Sequence, residues 1–159
     1  DRGGGAAHFG AGAQLCGAVA EHVAGLLTAA WAKALEGSKE PVERLKALTG
    51  AQLDQITANP AMPMLLFSRE LNVENAALRE AFRDRLVTLH GLLMREVIEG
   101  QQDETLCSDV AAGDVAVLLT SLIQGVAIRW SLGARDFALR EEGLRLLAVQ
   151  LRLLGVREG

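Results

Sequence analysis

Tyrosine is absent from this chain of 159 residues, and all aromatic residues together make up only 4% of it. There are only three prolines, while Ala and Leu dominate. That composition suits helices and argues against a β-sandwich. The two cysteines, Cys16 and Cys107, lie far apart with no CxxC spacing. A disulfide framework and a structural zinc site are therefore not expected, and the thiols point to a reducing, cytoplasmic setting. Neither His22 nor His90 follows a Glu by three positions, so the Glu-x-x-His pairs of a di-iron bundle are missing. No metal and no cofactor are expected. No GK[ST] follows the early glycines, which rules out a phosphate loop. No Ser, Cys or Asp stands in a nucleophile motif, so the chain does not read as an enzyme. The remaining enzymatic option is a pocket repurposed around His22 or His90 as base.

Excess positive charge is lacking too. The net charge is −4, which argues against a broad phosphate-binding surface. The uncharged run Val115 to Ile128 falls short of the roughly 18 apolar residues of a spanning helix. The apolar stretch from Leu15 to Ala34 is interrupted by Glu21 and His22 and has no basic flank, unlike a signal peptide. No membrane partner is expected.

What is present is helical periodicity. The spacing predicts an all-α bundle of about six helices in one domain. A first helix is expected over 13–35, with Leu15, Val19, His22 and Leu26 on its inner stripe. Pro41 fits the first turn of a second, with Val42, Leu45 and Leu48 inward. A separate helix is expected over 51–58, then a short bent segment bounded by Pro60 and Pro63. A long helix to about Glu99 carries Leu78, Phe82, Leu86, Leu89, Leu93 and Val97 inward, and its charged outer face reads as solvated. Asp109 is placed to cap the penultimate helix, and the last covers about 137–154. Residues 1–12 stand apart as a glycine-rich leader or the end of another domain, and residues 13–155 form the main unit.

The last two helices carry the most information. No charge falls between Asp114 and Arg129, which predicts a helix buried all round. In the last helix, Glu141, Arg145 and Arg152 make a narrow polar face, and leucines cover most of the remainder. A monomer's surface helix needs an apolar stripe of only about 100°. The excess points to a homodimer, with the last two helices of each copy forming a four-helix interface. Leu118, Leu122, Gly125, Arg129, Leu139, Gly143, Leu147 and Leu151 are the expected contacts. The alternative is that helices of the same chain cover both sides.

A second group of residues is bulky or mildly polar on otherwise apolar faces: His22, Trp31, Met62, Met64, Phe67, His90, Met94, Thr120, Gln124 and Trp130. Each taken singly reads as ordinary core. Together they resemble the lining of a small-molecule site, with apolar walls, adaptable Met and a few polar groups. Few charges face inward, so a hydrophobic or aromatic ligand fits better than a sugar phosphate. A competing reading is a structural dimerisation module with a filled core and no ligand.

The opening AAHFGAGAQL, Ala6 to Leu15, has His8, Phe9 and Leu15 at the spacing of a Tyr-x-His-Phe-x-Ser-Lys-Glu-x-Leu pattern, with Ala6, Ala11, Gly12 and Ala13 at its Tyr, Ser, Lys and Glu positions. LLFSREL, ALREAFRDRL and DVAAGDVAVLLTSLIQGVAIRWSLG follow in order, then a Leu-rich close. In these stretches the chain resembles the TetR family of transcriptional regulators. The resemblance implies a homodimer in which a helical regulatory domain binds an effector and an N-terminal helix-turn-helix binds operator DNA. It also implies a repressor released from its operator by ligand. Residues 1–9 contain no intact recognition helix, so this stretch of chain by itself is expected not to bind an operator.

Overall fold

A computed structural model describes residues 4–62 and 76–156, with side chains from Gly17 onward. All the regular structure among these residues is helical: α1 (Gly4–Leu35), α2 (Pro41–Ala58), α3 (Ala76–Gln102), α4 (Ala112–Leu132) and α5 (Leu139–Leu153). Five helices lie among the described residues; the periodicity predicted about six for the whole chain. Met64, Phe67 and most of the proline-bounded segment lie outside the described residues.

One expected break, after residue 50, is absent. The sequence suggested a break there, yet α2 runs unbroken from Pro41 to Ala58. This glycine makes room instead of ending the helix. A Cβ on Gly50 would lie 2.8 Å from Arg140 Nη2, so the bare backbone lets the α5 guanidinium lie against α2. Arg140 there pairs with Asp54.

Helix α1 also starts earlier than expected, at Gly4 rather than near residue 13. Its inward stripe is Ala20, Ala24, Leu27 and Trp31, all buried. Val19 and Leu26 are exposed, as is His22. The periodicity was right but the phase was not. Small alanines face the bundle, where they let α1 approach its neighbours closely, and the bulkier aliphatics turn out.

Helix α2 is the hub, packing against α1, α3, α4 and α5. Its Leu45, Leu48 and Leu53 are fully buried, and α3 supplies Leu78, Phe82, Leu89, Leu93 and Val97 to the same core. The turn after α3 is fixed by Leu106 N–H donating to Gly100 O at 2.9 Å, while Leu106 packs where a Gly100 side chain would be. Helix α4 begins at Ala112, and its N-cap Ala111 carries no side-chain cap, so Asp109 does not play that part.

Gly143 brings α5 onto α2. A Cβ there would overlap Leu53 Cδ1, and Leu53 has no exposure through which to retreat. Gly143→Ala is therefore expected to destabilise by about 1–3 kcal/mol through overpacking. Gly50→Ala displaces only the end of a flexible Arg, and the helix propensity gain of roughly 1 kcal/mol offsets that. Urea melts of the two variants side by side test the contrast.

Candidate functional site

Two regions gather the sequence-predicted residues: the seam between α3 and α4, and the outer face of α4 and α5.

At the seam, Met94 Sδ lies 3.9 Å from a Cβ built on Gly113, which marks where α3 meets α4. Thr120 and Gln124 follow Gly113 at i+7 and i+11, on the same side of α4. His90 precedes Met94 by one turn. All four side chains are half-buried. Thr120 Oγ1 turns back on its own helix, donating to Ala116 O or Val117 O at 3.1 and 2.9 Å. His90 Nε2 is buried with no hydrogen-bond partner among the described residues.

Trp31, Met62 and Trp130 are buried core residues. Trp31 is tied by Nε1 to Gln52 Oε1 at 2.9 Å, across α1 and α2. Trp130 lies near the end of α4, where the guanidinium of Arg135 sits 5.5 Å from its ring centroid. His22 is exposed on α1, turned away from the core rather than into it. The ten residues are thus spread over the bundle, and of them Met94 marks the α3–α4 contact at Gly113. Clefts also open elsewhere among the described residues. One, of about 240 Å³, lies between α1 and α3 and is lined by Glu21, Ala24, Gly25, Ala81, Asp84 and Arg85. The other, of about 520 Å³, runs over α1 and α2 beside the Asp54–Arg140 pair. None of the ten lines either cleft.

The outer face of α4 corrects the expectation of a helix buried all round. Val115, Ala116, Leu119, Ile123, Val126, Ala127 and Trp130 face inward. The opposite side carries Val117 at 52% exposure, Leu118 at 49% and Leu132 at 83%. Ser121 and Gly125 lie exposed between them. Helix α5 adds exposed Val149 and Leu153 and half-buried Leu146, beside α4. At i, i+3 and i+7 these form a second apolar stripe on α5 that the leucine count alone did not resolve.

The same geometry divides the eight expected interface residues. Leu118, Gly125 and Arg129 are exposed and Leu122 is half-buried. Leu139, Gly143, Leu147 and Leu151 are buried within their own chain. Leu53 of α2 packs directly on Gly143. No second copy is needed to bury them.

Charge borders the apolar face. Arg129 Nη2 stands 3.7 Å from Glu142 Oε1, and Arg145 Nη2 donates to the same oxygen at 2.6 Å. Arg129 also lies 5.5 Å from the centroid of the Phe137 ring. The Arg145 hydrogen bond, ahead of the charges of Arg145 and Arg129, holds the Glu142 carboxyl below its ordinary range, against a smaller opposing effect of desolvation. A depressed carboxyl stabilises the fold above the ordinary carboxylate range, and that contribution is lost as pH falls through the depressed value. Glu142→Gln is thus expected to flatten the acid limb of stability against pH. Thermal melts from pH 6 down to pH 3 check this.

Residues 41–154, from the first residue of α2 to the residue after α5, match the family model of the C-terminal domain of BetI-type transcriptional repressors. The chain belongs to this family. The match spans well over half of its length and supports the resemblance to TetR regulators. No curated protein and no solved structure matches the chain. Proteins of the TetR family act as dimers that bind small-molecule effectors and DNA. In a BetI-type C-terminal domain, the seam and the outer face are therefore places to look for the first two of those contacts.

Sequence reasoning missed one buried polar cluster. Glu96 is 1% exposed in the middle of α3. Its Oε1 accepts from Arg44 Nε at 2.8 Å. Arg44 Nη1 also donates to Leu35 O at 2.6 Å and Ser38 O at 3.1 Å. One guanidinium thus joins the end of α1, the following turn, α2 and α3. The signal was available in the sequence: Glu96 falls on the same stripe as Leu89 and Leu93, where a lone carboxylate requires a cation.

Proposed function

We propose that this chain is the effector-binding and dimerising part of a transcriptional repressor, non-enzymatic and cytoplasmic, acting on operator DNA through a helix-turn-helix outside residues 1–159. The observation that carries the reading is the family match, together with a penultimate helix whose outer half is apolar and uncovered. Helix α4 is long and apolar enough, by length and composition, to cross a membrane. Its inner face is nevertheless built into the bundle core with α2, α3 and α5. A second copy of the chain covers the outer face at far less cost than lipid, which would have to accommodate the charged neighbours Arg129, Glu142 and Arg145.

The effector in this reading is a small hydrophobic or aromatic molecule taken at the α3–α4 seam. Met94 supplies an adaptable wall and His90 Nε2 an unused polar atom. Anilinonaphthalene sulfonate serves as an apolar probe: its fluorescence should rise on the folded dimer. Met94→Trp should lower the probe's affinity roughly tenfold by filling the seam, while the melting curve shifts little. If the native protein leaves the probe dark and Met94→Trp unfolds it, the seam is ordinary core. The structural-module reading then stands, to which the tight Trp31–Gln52 contact already lends some support.

A further inference from the structure

Thr49 is the exception among the helical threonines of the described residues. Thr28, Thr57, Thr88 and Thr120 each donate from Oγ1 to the carbonyl four residues back, at 2.9 to 3.1 Å. Thr49 Oγ1 has no hydrogen-bond partner there or elsewhere among the described residues, although Thr49 is 1% exposed. A buried hydroxyl that turns from its own helix carbonyl and finds no other partner is costly. His90 Nε2, buried and unpaired, is in the same state.

Polar contacts between helices set the level of each. Thr28 on α1 accepts from Arg85 on α3 at 2.8 Å, and Trp31 on α1 donates to Gln52 on α2. Arg44 on α2 joins Leu35 at the end of α1 to Glu96 on α3. Helix α3 thus runs with α1, and α2 runs against both. Thr49 lies five residues from Arg44, and His90 lies six from Glu96 in the same direction, so the two stand close to one level. Around α2, at 100° per residue, Thr49 falls between Gln52, which meets α1, and Leu53, which packs on Gly143 of α5. It therefore looks into the bundle, toward α3 and α4. Around α3, His90 falls between buried Val97 and Met94, which meets Gly113 of α4. About one turn on from Gly113, the inward residue of α4 is Ala116, fully buried and smaller than the Val115 and Leu119 that flank it.

We propose that Thr49 and His90 form the polar end of the effector site and select an uncharged hydroxyl on an apolar body, as in a phenol or an alcohol. The proposal rests on the effector reading above and names the chemistry of the ligand's head. A hydroxyl both donates and accepts, so it satisfies Thr49 Oγ1 together with either neutral tautomer of His90. The small side chain of Ala116 makes room for the body behind it. Charge finds no partner in this layer. Arg44 and Glu96, the inward charged groups next along α2 and α3, are matched to each other, and Arg44 also serves Leu35 O and Ser38 O. An anionic head would be desolvated without a cation to hold it.

p-Cresol and toluene differ by one hydroxyl, and titration calorimetry with both tests the assignment. The native chain should bind p-cresol roughly tenfold or more tightly than toluene. Thr49→Val keeps the β-branched shape and removes only the unpaired hydroxyl, so the fold should hold. It should weaken p-cresol alone and bring the two affinities within about threefold. His90→Phe should do the same, and it carries the comparison if the first variant does not fold. p-Toluate, with a carboxylate in place of the hydroxyl, should bind roughly tenfold or more weakly than p-cresol. Equal native affinities for p-cresol and toluene, a preference that survives both substitutions, or tighter binding of p-toluate overturns the head-group assignment and leaves the effector site standing. A native chain that binds none of the three overturns both.

Discussion

Arg44→Met should cost about 3–5 kcal/mol of folding stability, because it strands the buried Glu96 carboxylate without its cation. One Glu96 oxygen already has no partner, so the substitution leaves both unpaired. It also frees two carbonyls, Leu35 O and Ser38 O, that the same guanidinium satisfies at the end of α1. Against a typical net stability of about 5–15 kcal/mol, the loss takes a large share. The pair need not be a net source of stability, because desolvating both ions offsets much of their attraction. Replacing both with apolar groups, as in Arg44→Met with Glu96→Leu, should accordingly recover much of what the single change loses. Urea unfolding followed by circular dichroism reads both effects. If Arg44→Met loses less than about 1 kcal/mol, Glu96 relaxes to water and does not depend on this cation. Hydrogen exchange adds a local readout, since the amides near Trp31 to Leu35 should lose protection when the clamp is removed.

Much of this architecture was legible because helical periodicity survives in composition alone. Leu45, Leu48, Leu78, Phe82, Leu89, Leu93 and Val97 were all placed inward from spacing and are buried. Reasoning from side-chain size failed where small residues do the packing. On α1 the eye follows Val19 and Leu26, but the buried stripe runs through Ala20 and Ala24, whose value is close approach. Gly50 reads as a breaker because glycine has the poorest helix propensity after proline. Only the position of Arg140, ninety residues later in the chain, shows what lies against that bare backbone. A run without charge tells that water is unwelcome, not which side of the helix is covered. The stretch from Val115 to Ile128 therefore looked buried throughout, although half of it faces outward. His90 with Met94 and Thr120 with Gln124 are pairs at helical spacing, but which neighbouring helix each pair faces depends on the bundle's topology, which spacing within one helix does not encode.

The leucines of α5 give the sharpest separation of folding from association. Leu147 is 1% exposed and packs inside its own bundle, whereas Leu153 is 77% exposed. From the sequence both sit on the same broad apolar arc. Leu147→Glu places an unpaired carboxylate in the core, at a cost of several kcal/mol, comparable to the whole stability of a domain. It should give a chain that does not fold or that aggregates, with lost helical dichroism. Leu153→Glu leaves the core untouched and keeps the helical spectrum and the melting behaviour of the single chain. If the α4–α5 face joins two copies, that charge is buried twice by the symmetry of the contact, so the folded chain should become monomeric. Arg152→Glu, on the polar side of the same turn, should change neither property. Sedimentation and circular dichroism on the three variants decide the matter. A Leu153→Glu chain that remains a dimer as tight as the native one places the interface off the outer stripe of α5. A Leu147→Glu chain that folds normally would show that this leucine is not the core residue its burial makes it.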